Sequence, residues 1–142
     1  MFKGVNWIAV VVAVVLLEVA GYVWYAVLFT ERWIAALGYT PDPAHQNMMM
    51  GLGVVTTVIT VLGLAWLNAR LGVTSLAQSV GVALAAWFFF DFTTMAIEYL
   101  YLGHTAELVL INIAFQLVAY GLAGVVLGLL KPRAQVAAPV AA

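Results

Sequence analysis

Two acidic side chains lie deep inside apolar stretches of this 142-residue chain. Glu18 stands near the middle of the first stretch, and Asp91 lies within a later one. A charged side chain at the centre of a bilayer costs about 3 kcal/mol on insertion scales, so such a residue usually faces protein or water and has a partner. No Lys or Arg lies at either level. If the two carboxyls face each other, at least one of them should hold a proton.

Other polar side chains recur at helical spacing and could complete a site. Tyr22 follows Glu18 by four residues, which places both on one face of a helix. Counting depth at about 1.5 Å per residue puts Thr57, Asp91 and Gln116 at a level similar to that of Glu18. We therefore predict a polar layer between the helices, whose candidate proton-binding or solute-binding residues are Glu18, Tyr22, Asp91, Asn112 and Gln116.

The sequence leaves two interpretations of this layer open. In the functional one, the acids form a proton-binding site coupled to a solute. In the structural one, the polar groups are hydrogen-bonded across helices and fix their register. We expect no enzymatic activity, cofactor or metal, because no nucleophile–His pair, Gly-rich phosphate loop or zinc spacing is present. His45 and His104 share no tight helical spacing with other ligands and are interpreted as loop residues.

Four apolar segments supply the elements that would position these side chains. Hydrophobic residues make up 66% of the chain and charged residues only 8%, against about 25% charged in globular domains. Each segment reaches the ~20 residues that a spanning helix needs. We predict an all-α membrane protein with one domain over residues 1–131, whose transmembrane helices cover residues 5–29, 48–67, 76–102 and 108–130.

The connections predict one further helix and a tail. Trp33, Ile34 and Leu37 repeat at helical spacing before Gly38, which predicts a short interfacial helix between helices one and two. A rigid turn at residues 41–43 should follow this helix. The Ala- and Pro-rich residues 132–142 predict a flexible C-terminal tail.

The distribution of cations predicts the orientation. Lys3, Arg70, Lys131 and Arg133 fall on one side of the predicted bundle, and only Arg32 falls on the other. The positive-inside rule therefore puts both termini in the cytoplasm, which is an N-in/C-in topology. A net charge of −1 offers no basic surface for nucleic acid.

Small residues in the last helix predict close packing. Gly124 and Gly128 form a small-xxx-small pair, and Gly121 lies one turn earlier. Such a pair lets two helix backbones approach closely, within the bundle or across a dimer.

The chain resembles a family of small bacterial four-helix membrane proteins that is catalogued as a domain of unknown function. The resemblance runs over nearly the whole chain and implies its topology and membrane location, but no activity. In that pattern an apolar residue is usual at the position of Glu18, and histidine is common at that of Gln116. The motifs that carry the resemblance are Asn6-Trp7, Gly21-x-x-Trp24-Tyr25-x-x-x-Phe29-x-x-x-Trp33, Leu37-Gly38, Tyr101-x-Gly103 and Leu110-Ile111-Asn112-x-x-Phe115.

A fainter resemblance is to the small multidrug resistance exporters, which are four-helix dimers with a membrane-embedded glutamate in helix one. Leu17-Glu18-Val19-x-Gly21 and Gly81-Val82-Ala83-x-Ala85-x-Trp87 carry it. The first loop here is much longer, and aromatic residues and Asp91 replace the small residues expected after the tryptophan. We interpret this likeness as convergence on Gly- and Ala-rich helix packing.

Two functions follow as hypotheses from these patterns. The first is a small proton-linked carrier or solute-binding bundle in the bacterial cytoplasmic (inner) membrane. Four helices enclose little internal volume, so we expect such a carrier to be a homo-oligomer. The second is a non-catalytic accessory subunit docked to partner subunits of a larger membrane complex. In both, the lipid bilayer is the protein's surrounding partner.

Overall fold

The computed structural model describes residues 3–39 and 42–130, and every regular element in these ranges is helical. Two of the elements are π-helical segments that continue an α-helix, labelled π1 and π2. In chain order the elements are α1 (Trp7–Tyr22), π1 (Val23–Leu28), α2 (Thr30–Leu37), α3 (Pro43–Arg70), α4 (Leu76–Ala86), π2 (Trp87–Phe92), α5 (Thr93–Leu102) and α6 (Ala106–Leu129).

Four helical stretches are long and apolar enough to cross a membrane, as the hydropathy pattern predicts. Each has 22 to 28 residues and a mean hydropathy between 1.7 and 2.2. A helix of about 20 residues spans the hydrocarbon core of a bilayer. The four stretches, called spans one to four below, are Trp7–Leu28, Pro43–Arg70, Leu76–Leu102 and Ala106–Leu129.

Local side chains explain where the helices begin and end. Asn6, Asp42 and Ser75 each accept a hydrogen bond from a backbone N–H in the first turn of α1, α3 and α4. Gly38 and Gly103 end α2 and α5 with φ angles of +75° and +66°. Those angles lie in the left-handed region, where glycine lacks the steric penalty of a side chain.

Helix α6 lies at the centre of the packing. It contacts α4 most extensively and also packs on α1, while α1 packs in turn on α3. The buried core at these contacts is rich in small residues, which allow close approach of helices. Its alanines are Ala9, Ala13, Ala65, Ala83, Ala119 and Ala123.

The predicted short helix between spans one and two is confirmed as α2. An ion pair between Arg32 Nε and Glu107 Oε1, 2.6 Å apart, joins it to the start of α6. Thr105 Oγ1 also donates a hydrogen bond to the carbonyl oxygen of Ala36. The predicted turn at residues 41–43 falls partly outside the described residues, and the domain boundary at 131 and the tail 132–142 lie wholly outside them.

The two π-helical segments were not predicted. They interrupt spans one and three at Val23–Leu28 and Trp87–Phe92, and both are rich in aromatic residues. A π turn holds more residues than an α turn, so the side chains beyond it rotate to a different face. Both segments therefore shift the face on which the following residues of these spans lie.

Candidate functional site

Asp91 lies in π2, half-buried against the centre of the bundle. Its Oδ2 atom is inaccessible to solvent and has no hydrogen-bond partner among residues 3–39 and 42–130. Tyr120 of α6 lies within electrostatic range of this carboxyl. A buried carboxyl oxygen without a partner is costly, and a bound proton or a bound cationic group would each remove part of that cost.

Glu18 and Asp91 do not form a pair. Span one contacts α3 and α6, whereas the segment that carries Asp91 contacts α4, α5 and α6. The contacts between elements therefore do not bring span one against the segment of Asp91, and neither acid makes a hydrogen bond to the other within the described residues. The shared proton expected between them has no support in these contacts.

Glu18 and Tyr22 share one face of α1, as the four-residue spacing predicts, but Tyr22 does not face the interior of the bundle. Its side chain is 67% exposed, on the outward face of α1. The π turn that begins at Val23 brings the next tyrosine, Tyr25, towards α6 instead. Glu18 itself is half-buried, and it makes no hydrogen bond within the part of the chain that the structure describes.

A hydrogen-bonded chain of three side chains joins π1, α6 and α5 at the end of the bundle opposite the N-terminus. The Tyr25 hydroxyl donates to Asn112 Oδ1 over 3.1 Å, and Asn112 Nδ2 donates to the Tyr99 hydroxyl oxygen over 2.8 Å. Asn112, a predicted site residue, is thus placed between two tyrosines that the sequence had assigned to no site. The sequence signal for Tyr25 was its spacing from Gly21. Gly21 lies against Phe115 of α6, and a residue four positions later falls on the same face of a helix.

Aromatic rings enclose this tyrosine–asparagine chain. The Tyr25 ring lies 5.0 Å from Phe115 and 5.3 Å from Trp33, measured between ring centroids. Trp24 Nε1 donates to the carbonyl oxygen of Ile111 over 3.2 Å. These contacts involve Trp24, Tyr25 and Trp33, so the motif with the most specific family resemblance is the motif that packs span one and α2 on α6.

Gln116 and Thr57, the other two members of the predicted layer, make no hydrogen bond to a residue of another helix within the described ranges. Gln116 is half-buried on α6 and has no hydrogen bond to any described side chain or backbone group. Thr57 donates a hydrogen bond to the carbonyl oxygen of Gly53, one turn back in its own helix. Such a bond satisfies a hydroxyl inside an apolar helix without a second helix.

The predicted glycines lie at the contact between α6 and α4. A Cβ atom added at Gly124 would stand 2.9 Å from Ala83 Cβ and from Val80 Cα, and one at Gly128 would stand 2.9 Å from Ser79 Cβ. Gly121 is looser, since its added Cβ would meet only Leu84 at 3.9 Å. Close backbone approach is what the small-xxx-small spacing predicts.

Hydrogen bonds of Ser79 stabilise the contact between α4 and α6. It is fully buried, donates to the carbonyl oxygen of Gly124 over 2.8 Å and accepts from Asn68 Nδ2 over 2.8 Å. Beside Asn68, at the N-terminal end of the bundle, a cavity of about 220 Å³ opens. Its lining, without a charged residue, is Gly4, Asn6, Ala9, Ala65, Asn68, Ala69, Gly72, Val73 and Leu127.

This fold and these polar contacts define a class: a small all-helical protein with four candidate membrane spans held together around α6. The chain belongs to a family described as proteins of unknown function (DUF1761), whose sequence model matches residues 8–128. That match confirms the family resemblance seen in the motifs. No curated protein and no solved structure matches the chain, and the fainter likeness to small multidrug resistance exporters gains no support.

Proposed function

We propose that the protein is an integral membrane protein that binds a proton at Asp91, and that it acts as a small proton-linked carrier or solute-binding bundle. The observation that carries this proposal is the buried Oδ2 atom of Asp91, which has no partner among the described residues. Asp91 replaces the Glu18–Asp91 pair as the functional acid, because span one and the segment of Asp91 are not packed against each other.

The surroundings of Asp91 support this role. A π-helical turn is less regular than an α-helical one, and such turns frequently occur at functional sites. Tyr120 of α6 is close enough to this carboxyl to interact with it electrostatically. A carboxyl that is not locked into a salt bridge can exchange a proton without breaking the fold, which is what a coupled site requires.

The proposed location is the bacterial cytoplasmic membrane with both termini inside. Lys3 and Arg70 lie at the N-terminal end of the bundle, and Arg32 at the opposite end is engaged by Glu107. An excess of cations on one side is the feature that sets orientation during insertion.

Infrared difference spectroscopy on the purified protein in lipid tests proton binding. We expect a carboxyl band of wild type to titrate between mildly acidic and mildly basic pH. Asp91→Asn should abolish this band, since the amide cannot titrate, whereas Glu18→Gln, the matched control in span one, should keep it. If the band survives in Asp91→Asn, or if wild type shows none, Asp91 is not the proton site.

A second candidate is a non-catalytic accessory subunit. It is favoured by the Tyr25–Asn112–Tyr99 chain, in which side chains that could have bound a solute bind one another. Purification from native membranes separates the two functions. A stoichiometric partner protein would support the accessory role, and a preparation that contains only this chain would support the carrier.

A further inference from the structure

One face of α1 carries a single acidic residue within an otherwise uncharged stripe. The stripe follows alternating spacings of three and four residues, the pattern of the seam between two packed helices. Its uncharged members are 56% to 72% exposed. The stripe consists of Ile8, Val11, Val15, Glu18 and Tyr22, and it is called the α1 seam below.

The α1 seam is separate from the face that packs in the bundle. The buried residues of α1, which point towards the core, are Ala9, Val10, Ala13 and Leu17. Exposed apolar side chains alone would simply face lipid. Glu18 is different, because it lies in the middle of the Trp7–Leu28 span and makes no hydrogen bond in the described part of this chain. The hydrocarbon core of a bilayer offers no donor or acceptor to a carboxyl at that depth.

The α1 seam of one copy is complementary to the α1 seam of a second copy. Copies of one chain insert in the same direction, so a two-fold pair places equal residues at equal depth. Each Glu18 then lies near its counterpart at the axis, within reach of the polar groups of the other copy. Tyr22, one turn away, offers a hydroxyl donor to the carboxyl of the other copy. The remaining seam residues, Ile8, Val11 and Val15, are β-branched and suit tight packing between two helices.

We propose that the α1 seam is a homodimer interface, in which Glu18 and Tyr22 of two copies form hydrogen bonds inside the membrane. The occupant is a second copy of this chain, rather than lipid or a different protein. The inference does not depend on Asp91, so a failure of the proton site would leave it standing.

Disulfide crosslinking in membranes locates the interface, and the absence of native cysteine removes any background. Under a mild oxidant, Val11→Cys and Val15→Cys should give covalent dimers. The matched control is Ile59→Cys on α3, which is 63% exposed and also lies in a membrane span. Its dimer band should be several-fold weaker. Equal crosslinking at Ile59, or none at the seam, would overturn the proposal.

Dilution of fluorescently labelled protein in liposomes measures the contribution of Glu18. Glu18→Leu should weaken dimerisation by about five- to thirtyfold, the range expected for one or two interhelical hydrogen bonds in a bilayer. Glu18→Gln should lose much less, because the amide still donates and accepts. Circular dichroism of each variant checks that the monomer remains helical. A wild type that stays monomeric at all lipid ratios, or equal dimerisation of Glu18→Leu and wild type, would contradict the interface.

Discussion

At the scale of single residues, burial and hydrogen-bond partners divide the polar groups of the spans into two kinds. Tyr25, Asn112 and Tyr99 satisfy one another. Asp91, by contrast, keeps a buried oxygen without a partner in the described ranges. Residues of the first kind hold helices in place, and residues of the second kind remain available to a ligand. The functional proposal depends on this difference, not on the presence of acids alone.

Asp42, outside the spans, gives a residue-scale prediction. The backbone N–H of Ala44 and the side chain of His45 hold the pKa of the Asp42 carboxyl below its usual range. A lowered pKa in the folded state means that the carboxylate stabilises the start of α3 above the unfolded pKa of about 3.9, and that this stabilisation is lost as pH falls through the folded pKa. Asp42→Asn should therefore speed amide exchange in the first turn of α3 at neutral pH.

Hydrogen–deuterium exchange of the peptide around residues 43–47 measures this effect. The difference in exchange rate between Asp42→Asn and wild type, corrected for intrinsic exchange, should shrink as the pH falls well below about 4. The ordinary pKa of an aspartate is about 3.9, and the carboxylate of Asp42 becomes protonated only below that value. A matched control is Glu31→Gln in α2, which should leave exchange at the start of α3 unchanged. A difference that persists undiminished in acid would contradict the role of the charge.

At the scale of elements, hydropathy predicted the four spans and α2, because length and periodicity carry that information. It could not predict π1 and π2, since an apolar aromatic run does not distinguish an α turn from a π turn. The consequence was local: Tyr22 was expected to face the interior, whereas Tyr25 is the tyrosine that contacts α6. Depth along a helix can be counted from sequence, but the order of helices around α6 cannot, and therefore Glu18 and Asp91 were expected to meet.

The contact between α6 and α4 gives the element-scale prediction. Gly124→Leu should force the two helices apart, because even a Cβ atom at Gly124 would stand 2.9 Å from Val80 Cα on the neighbouring backbone. Overpacking of this kind costs about 1–3 kcal/mol or more. Gly81→Leu in α4 is the control, since an added Cβ there meets nothing within 4 Å. Thermal unfolding should show a clear loss for Gly124→Leu only, and equal melting temperatures would refute the close contact.

At the scale of the whole molecule, a role in proton binding within a bilayer requires that the four helices cross the membrane. All four spans carry large exposed apolar surfaces, with only 6% to 28% of each apolar window buried inside the protein. A bilayer would cover those surfaces with lipid. Lipid around the bundle would then keep water from reaching Asp91 through the sides of the bundle. The first and third connections between spans would then lie on one side of the membrane, and the second connection on the other.

Cysteine labelling on intact cells tests this arrangement most directly, because the chain has no cysteine of its own. Tyr39→Cys, after α2, and Leu71→Cys, after α3, place a thiol at exposed positions at opposite ends of span two. An impermeant thiol reagent added outside should label Tyr39→Cys, and it should label Leu71→Cys only after the cells are opened. Labelling of Leu71→Cys alone, or of both positions equally in intact cells, would contradict a bundle that crosses the membrane with both termini inside.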